Sequence, residues 1–412
     1  MDLPGIRLHC TVIADDLCSG RSVFWVMPEQ IAVAPMVDSV VEQCVGRDRS
    51  VKRFDTVDPG IRSLIPGLAL CQSLGLDASD LADCSPASLI GHPEFPDIVV
   101  IEALTPTGDV ELQRWKRFVG EWSRAATLVE PPFSQRALLI VANSDSFGVP
   151  TDDVRLAVRR LWGHLSGLDL ELFARRSSGG QSGLTSWPGM VGPELAGSDL
   201  GLLDELLSNP PCDGSVLDKL LTDYGTRLGW TRGLLTRLNA ANVLDSGYWR
   251  RVKAQLAPPV EAEPLWRIGA LSYTPESGME LHSSAAALLE RRDIIDHRIW
   301  RGEVRILMPL LDSLRRDICA YLTRQVGPGW VDYAAALHPE DIQGTPERPL
   351  TQFGHLANIA VSTSLPLRIR QNLANPLRFI KDIRNSLAHF AAIGLADFDR
   401  VLDVVKALEP LR

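Results

Sequence analysis

No stretch of the 412 residues approaches the roughly 18 consecutive apolar positions that a membrane-spanning helix needs. The opening residues Met1–Cys10 also lack the charged-then-apolar pattern of a secretory leader. Both absences lead us to expect a cytoplasmic chain with no membrane partner. The seven cysteines (Cys10, Cys18, Cys44, Cys71, Cys84, Cys212, Cys319) are odd in number, widely spaced and free of any C-x-x-C pair, which excludes a disulfide framework and a zinc ribbon. His9 with Cys10 and Cys18 is the grouping nearest to a metal site, but such cysteines behave as small buried hydrophobes far more often. HExxH, GxSxG and EF-hand patterns are missing too, so no metal and no cofactor is expected. There is no internal repeat with a period of 20–50 residues.

What is present is a globular composition, 45% hydrophobic and 23% charged, of a length that suggests two or three domains. The ten tryptophans are scattered and read as core and interface anchors. The net charge of −9 is unevenly spread. From Glu290 onward there are 17 Lys/Arg against 15 Asp/Glu, whereas the preceding residues carry 25 against 36. An acidic body argues against a nonspecific nucleic-acid coat, while the mildly basic end leaves room for a local polyanion site.

Residues 1–174 read as an α/β domain. Ser22–Met27, Val51–Val57, Ile98–Leu104 and Ala137–Ala142 are short apolar runs. They alternate with helical patterns at Ile31–Val45 (interrupted by Pro35), Ile61–Leu74 and Glu111–Ala126. Strands without polar alternation, separated by helices, predict a mostly parallel sheet covered on both faces. This block resembles the core of a P-loop or AAA-type ATPase that has lost its machinery. Ile98–Leu104 is similar to a Walker B strand with Glu102 near the acidic position, and Ala137–Ala142 to a sensor strand that runs on to the polar Asn143. Yet PEQIAVAPM follows the first strand, with neither the glycines nor the lysine that wrap phosphates. Triphosphate binding is therefore not expected.

Arg175–Asp199 is rich in Gly, Ser and Pro and reads as a linker or loop. Residues 200–289 read as an all-α adaptor region, with a second break at Pro258–Pro264. Residues 290–412 read as a further helical bundle. Its elements are one long helix over Arg298–Val326, with Val304, Leu307, Leu311, Leu314, Ile318 and Leu322 as its apolar stripe and Pro309 as a possible kink, a stop at Gly327–Trp330, a short helix at Phe353–Ile359, and two closing helices. The first of these is expected to start at Pro376 with Asn375 as its N-cap and to run to about Ile393; the second covers Ala396–Leu408.

Within Pro376–Phe390 the apolar positions Leu377, Ile380, Ile383 and Leu387 form a core stripe. Arg378, Asp382, Asn385 and His389 recur at steps of four, three and four, which stacks them on another face. Asparagine is a poor mid-helix residue, and histidine is the side chain that titrates near neutral pH. Arg368, Arg370, Arg378, Lys381 and Arg384 set five cations within seventeen residues.

Arg384-Asn385-Ser386-Leu387-Ala388-His389 resembles the R-N-x-x-x-H signature of the HEPN superfamily, and the helix order around it is similar as well. The likeness spans roughly Asp296 to the end. That family implies an all-α domain, an endoribonuclease that needs no metal, and a homodimer in which two motifs face one cleft. By that resemblance Arg384, Asn385 and His389 are the catalytic candidates. Arg378, Lys381, Arg368 and Arg370 are candidates for RNA contact, and Asp382 for a supporting role. RNA is the expected partner, with a possible antitoxin or defence-system protein beside it. His355 is a candidate for the same cleft, although a packed or surface role is the commoner one; His282, His297 and His338 have no motif around them. The expected function is RNA cleavage in bacterial defence or a toxin-type stress response, with the front region as scaffold or regulator. The alternative is a non-catalytic dimerisation or docking subunit of a larger anti-phage assembly.

Overall fold

Buried apolar runs form the strands, and the computed structural model pairs them in parallel. It describes residues 3–29, 34–55, 65–77, 83–102, 109–129, 135–142, 149–177, 186–240, 257–330, 344–345, 348–349, 352–361 and 365–409. The chain divides into two compact units, Met1–Asp169 with Trp230–His282, and Leu170–Gly229 with Ser283–Arg412.

The first unit is built on a five-stranded sheet of β1 (Ser22–Val26), β2 (Val51–Asp55), β3 (Ile98–Glu102), β4 (Ala137–Ala142) and β5 (Leu156–Arg160). The order is β2-β3-β4-β1-β5, with every neighbouring pair parallel. β1 and β4 are buried along their whole length, as a sheet covered on both faces requires. β5 was not legible as a strand: its Leu-Ala-Val-Arg-Arg sequence is only half apolar, which suits an edge position.

Helices Pro4–Cys18, Ala34–Val45, Pro66–Leu74, Pro86–Gly91 and Asp109–Leu128 accompany the sheet. Pro35 lies in the first turn of its helix rather than breaking one, where its missing N–H costs nothing. Trp115, Phe118 and Trp122 line one side of Asp109–Leu128 and pack on Phe54 and Phe95 with ring centroids 5.5–6.0 Å apart. Asn143 lies outside the described residues.

The segment from Trp230 to His282 belongs to this first unit, so the region read as a single 200–289 adaptor is divided between the units. Aromatic packing accounts for it. Trp162 stacks on Tyr273 at 5.1 Å and meets Trp266 edge-on at 6.0 Å. Tyr273 lies on the hairpin Leu271–Thr274/Gly278–Leu281. The adjoining Gly163 has φ +72, and a β-carbon there would come within 2.7 Å of the Tyr273 ring.

The second unit is helical: Trp187–Ala196, Leu200–Ser208, Gly214–Arg227, Ser283–Leu288, a long helix Arg292–Val326, Phe353–Val361, a motif helix Leu367–Ala388 and a closing helix Leu395–Leu408. The described part of 175–199 is largely helical, where composition suggested a linker or loop. Among its described residues, Arg175–Ser177 end one helix and Trp187–Ala196 form another, with Trp187, Val191 and Leu195 buried. Small residues serve close approach here. A β-carbon on Gly302 of the long helix would already crowd Val191 at 3.1 Å.

Two helix boundaries also differ from expectation. The long helix begins at Arg292, six residues before Arg298. The motif helix begins at Leu367 and ends at Ala388, with Pro376 inside it, so Asn375 caps nothing. A proline inside a helix costs about 3 kcal/mol. The buried stripe of Ile369, Leu373, Leu377, Ile380, Ile383 and Leu387 continues across it, and burying such side chains contributes about 1.5–3 kcal/mol each. No described helix is long and apolar enough to cross a membrane.

Candidate functional site at the end of the motif helix

The last turn of the motif helix carries Arg384 and Asn385, both half-buried, and its C-cap is His389, exposed to solvent. His389 is thus a helix-end residue rather than a mid-helix one. Its backbone N–H donates to the carbonyls of Asn385 (3.0 Å) and Ser386 (3.1 Å). Arg384 Nη1 reaches Asn385 Oδ1 at 3.5 Å.

The helix then ends in a closing pattern normally completed by glycine. The N–H of Phe390 donates to Leu387 O and that of Ala391 to Ser386 O, the two bonds of a Schellman motif. Phe390 occupies the left-handed position, φ +61. A β-carbon costs roughly 1–2 kcal/mol there, and the residue is 72% exposed.

Two side chains of the long helix, three residues apart, hold this terminus. Trp300 Nε1 donates to Leu387 O at 2.7 Å. The Glu303 carboxylate accepts the backbone N–H groups of Ile393 (2.8 Å) and Gly394 (3.0 Å), and the indole N–H of Trp187 at 3.4 Å. Glu303 is fully buried. Burial raises its pKa, and the three donors oppose the shift. Gly394 then starts the closing helix. The Trp300 ring also touches two others: Phe390 at 4.8 Å, and His297, stacked on it at 5.2 Å. Sequence reasoning missed Glu303, Trp300 and His297; Phe390 had a local signal, since it directly follows the motif.

The basic candidates do not converge. Arg368 and Arg378 are exposed and Arg370 and Lys381 half-buried along one helix, and Arg368 to Arg384 spans roughly 24 Å of axis. Helical spacing sets Arg370 and Lys381 on one flank of the buried stripe, Arg378 opposite the stripe and Arg368 on the other flank, with Asp382 exposed. His355 is buried, and its Nδ1 accepts the N–H of Gln352 at 3.2 Å, so it packs in the helix Phe353–Val361. His282 is buried edge-on to Trp230, and His338 lies outside the described residues.

In the first unit the carboxyl ends of parallel strands are where an open α/β sheet would bind a ligand. There Glu102 is paired with Arg53 at 3.2 Å across β2–β3. After β1, the N–H of Glu29 donates to Arg267 O at 2.8 Å, so that amide is spent inside the protein. His9 packs against His164, ring centroids 3.9 Å apart, and against Trp25 at 5.6 Å. Cys10 Sγ lies 3.8 Å from Met36 O.

No family model matches the sequence, and no curated protein does. Among solved structures, the Aeropyrum pernix ORC2 protein in its ADPNP–ADP complexes is similar at 11% identity and a TM-score of 0.29. That likeness covers 70% of this chain and 92% of the other, and it is too loose to transfer a ligand or an activity.

Proposed function

We propose that the chain is an endoribonuclease of HEPN type, with its reaction centre at the end of the motif helix. The observation that carries this reading is the set Arg384, Asn385 and exposed His389 on a helix terminus braced from behind by Trp300 and Glu303. Such a terminus is rigid yet open to a polymer, which is what cleavage within a strand demands.

The chemistry follows from RNA itself. The 2′-oxygen attacks the adjacent phosphorus, the bond to the 5′-oxygen breaks, and a 2′,3′-cyclic phosphate and a 5′-hydroxyl result. His389 takes the proton of the 2′-hydroxyl or gives one to the leaving 5′-oxygen. Arg384 binds a nonbridging oxygen as charge builds on it, and Asn385 orients the Arg384 guanidinium. A single imidazole serves one proton transfer at a time. A homodimer in which the His389 of a second copy faces the same phosphate supplies the other. The cations Arg368, Arg370, Arg378 and Lys381, spread along and around the motif helix, attract the strand electrostatically, so affinity falls with rising salt.

The first unit serves in this reading as an ATPase-like scaffold or regulator that has lost nucleotide binding. Its all-parallel strand order, β2-β3-β4-β1-β5, is that of AAA-type cores, and this supports the resemblance in the absence of a phosphate loop. A defence or toxin setting, with a partner protein restraining the enzyme, completes the proposal.

The test is incubation of pure protein with RNA in EDTA. Cleavage that survives chelation and vanishes in His389→Ala supports the enzyme. A dimer without cleavage favours the docking-module alternative.

A further inference from the structure

Beside the proposed reaction centre stands a short ladder of rings. His297 stacks on Trp300 with 27° between planes, and Trp300 meets Phe390 at 43°. Trp300 is held through its indole N–H to Leu387 O, and Phe390 through its own N–H to Leu387 O and its ring contact with Trp300. The ladder is also open, since His297 and Phe390 are both exposed. The acids next to His297 in sequence are engaged elsewhere, Asp296 with Arg292 at 2.7 Å and Asp293 with Arg291 at 2.9 Å.

We propose that Phe390, backed by Trp300 and His297, is a stacking platform for an unpaired nucleobase, and that the substrate is single-stranded RNA. This rests on the ribonuclease reading above. A base has two apolar faces that water covers poorly, and an exposed ring held in place gains one of them without having to be ordered first. Bases in a duplex are already stacked and offer no face, so a platform of this kind selects unpaired strands. Phe390 is the neighbour in sequence of His389. Stacking the base next to the scissile phosphate fixes that nucleotide against the imidazole, which is how binding energy becomes orientation.

The experiment uses the full chain and a single-stranded oligoribonucleotide with 2′-O-methyl riboses, which cannot be cut, carrying 2-aminopurine as the stacked base. Binding is read by anisotropy and stacking by quenching of the 2-aminopurine. Wild type quenches the probe. Phe390→Ala loses the quenching and binds about tenfold more weakly, while Phe390→Tyr restores both. The salt dependence of binding is the same in all three, because no phosphate contact has been removed. Unchanged affinity and quenching in Phe390→Ala, with RNA cleavage still abolished by His389→Ala, overturns the platform and leaves the ribonuclease standing. A wild type that neither binds nor cuts RNA overturns the ribonuclease, and the platform with it. Loss of a dimer in Phe390→Ala by light scattering, with affinity for the probe unchanged, assigns the ring to a contact between two copies and overturns the platform alone.

Discussion

His9 makes the stability of the first unit sensitive to acid by an amount the structure allows us to work out. The ring is 3% exposed and lies 3.9 Å from that of His164. Its Nε2 has no hydrogen-bond partner among the described residues. Burial first, then the neighbouring His164 and Arg159, lower its pKa from 6.5 to about 2. Asp16 faces the same group as the partner of Arg159, at 2.5 Å, and offsets part of that cation. A histidine whose folded pKa is lowered binds fewer protons folded than unfolded. Its neutral form is therefore compatible with the fold above about pH 6.5, and stability is lost as the pH falls below that value. Each unit below it removes about 1.4 kcal/mol, so pH 5 costs about 2 kcal/mol relative to neutrality. His164, whose pKa burial also lowers, adds a loss of the same sign. The assay is urea unfolding followed by tryptophan fluorescence at pH 7 and pH 5, in wild type and in His9→Leu, which removes the titration at similar volume. Other groups titrate in both proteins, so the informative quantity is the difference between them. His9→Leu is expected to lose less stability on acidification by about 2 kcal/mol. Equal losses in the two proteins would falsify the account.

Arg384→Ala and His389→Ala are expected to abolish RNA cleavage while shifting stability by only about 0.5 kcal/mol; equal activity in wild type and both variants would remove the site from consideration. Ile383→Asp is the contrast, because Ile383 is 4% exposed and an unpaired carboxylate there costs several kcal/mol, giving unfolded or insoluble protein. Glu303→Gln must turn an amide N–H toward one of the donors its carboxylate now accepts, so thermal melting should report a loss of about 1–3 kcal/mol and cleavage should weaken. A variant as stable and active as wild type would show that the connection does not depend on this carboxylate. Calorimetric titration with ATP and magnesium is expected to show no binding, since neither glycines nor a lysine follow β1; low-micromolar affinity would show that the first unit retains a nucleotide site.

The parts of the fold that could be read in the sequence were those where one local signal dominates. β3 and β4 are largely apolar runs, and a buried parallel strand leaves no other trace. β5 carries Arg159 and Arg160, and Arg159 pairs with Asp16 of a helix far away in sequence, so nothing local marks it. Glycine misled for a different reason. In Trp187–Ala196 it serves close packing, with a β-carbon on Gly192 meeting Leu203 at 3.2 Å, and composition does not distinguish that use from flexibility. Asn375-Pro376 is a sound cap signal that tertiary burial overrides. At the site, Asn385 and His389 were legible from helical spacing with Arg378 and Asp382, and Arg384 from the R-N-x-x-x-H resemblance. Glu303 and Trp300 were not, because they arrive from a helix 87 to 91 residues earlier in the chain.

Three helices of the second unit start as local propensity would choose, with Asp199, Asp213 and Ser186 each capping a helix with a side-chain oxygen. Five described non-glycine residues have positive φ: Asp48, Cys84, Asn239, Glu290 and Phe390. Two are Asp and Asn, which tolerate that conformation, and Phe390 is the aromatic one. Around the end of the motif helix the fold therefore brings together a strained and exposed phenylalanine, a fully buried glutamate and a tryptophan bonded to a helix-end carbonyl. Each is unfavourable or unusual alone, and sequences otherwise consistent across levels tend to break local rules where function demands it. The positive φ of Phe390 is a feature separate from the R-N-x-x-x-H pattern. The long helix holds the terminus from behind through Trp300 and Glu303, while His389 and Phe390 stay exposed to solvent.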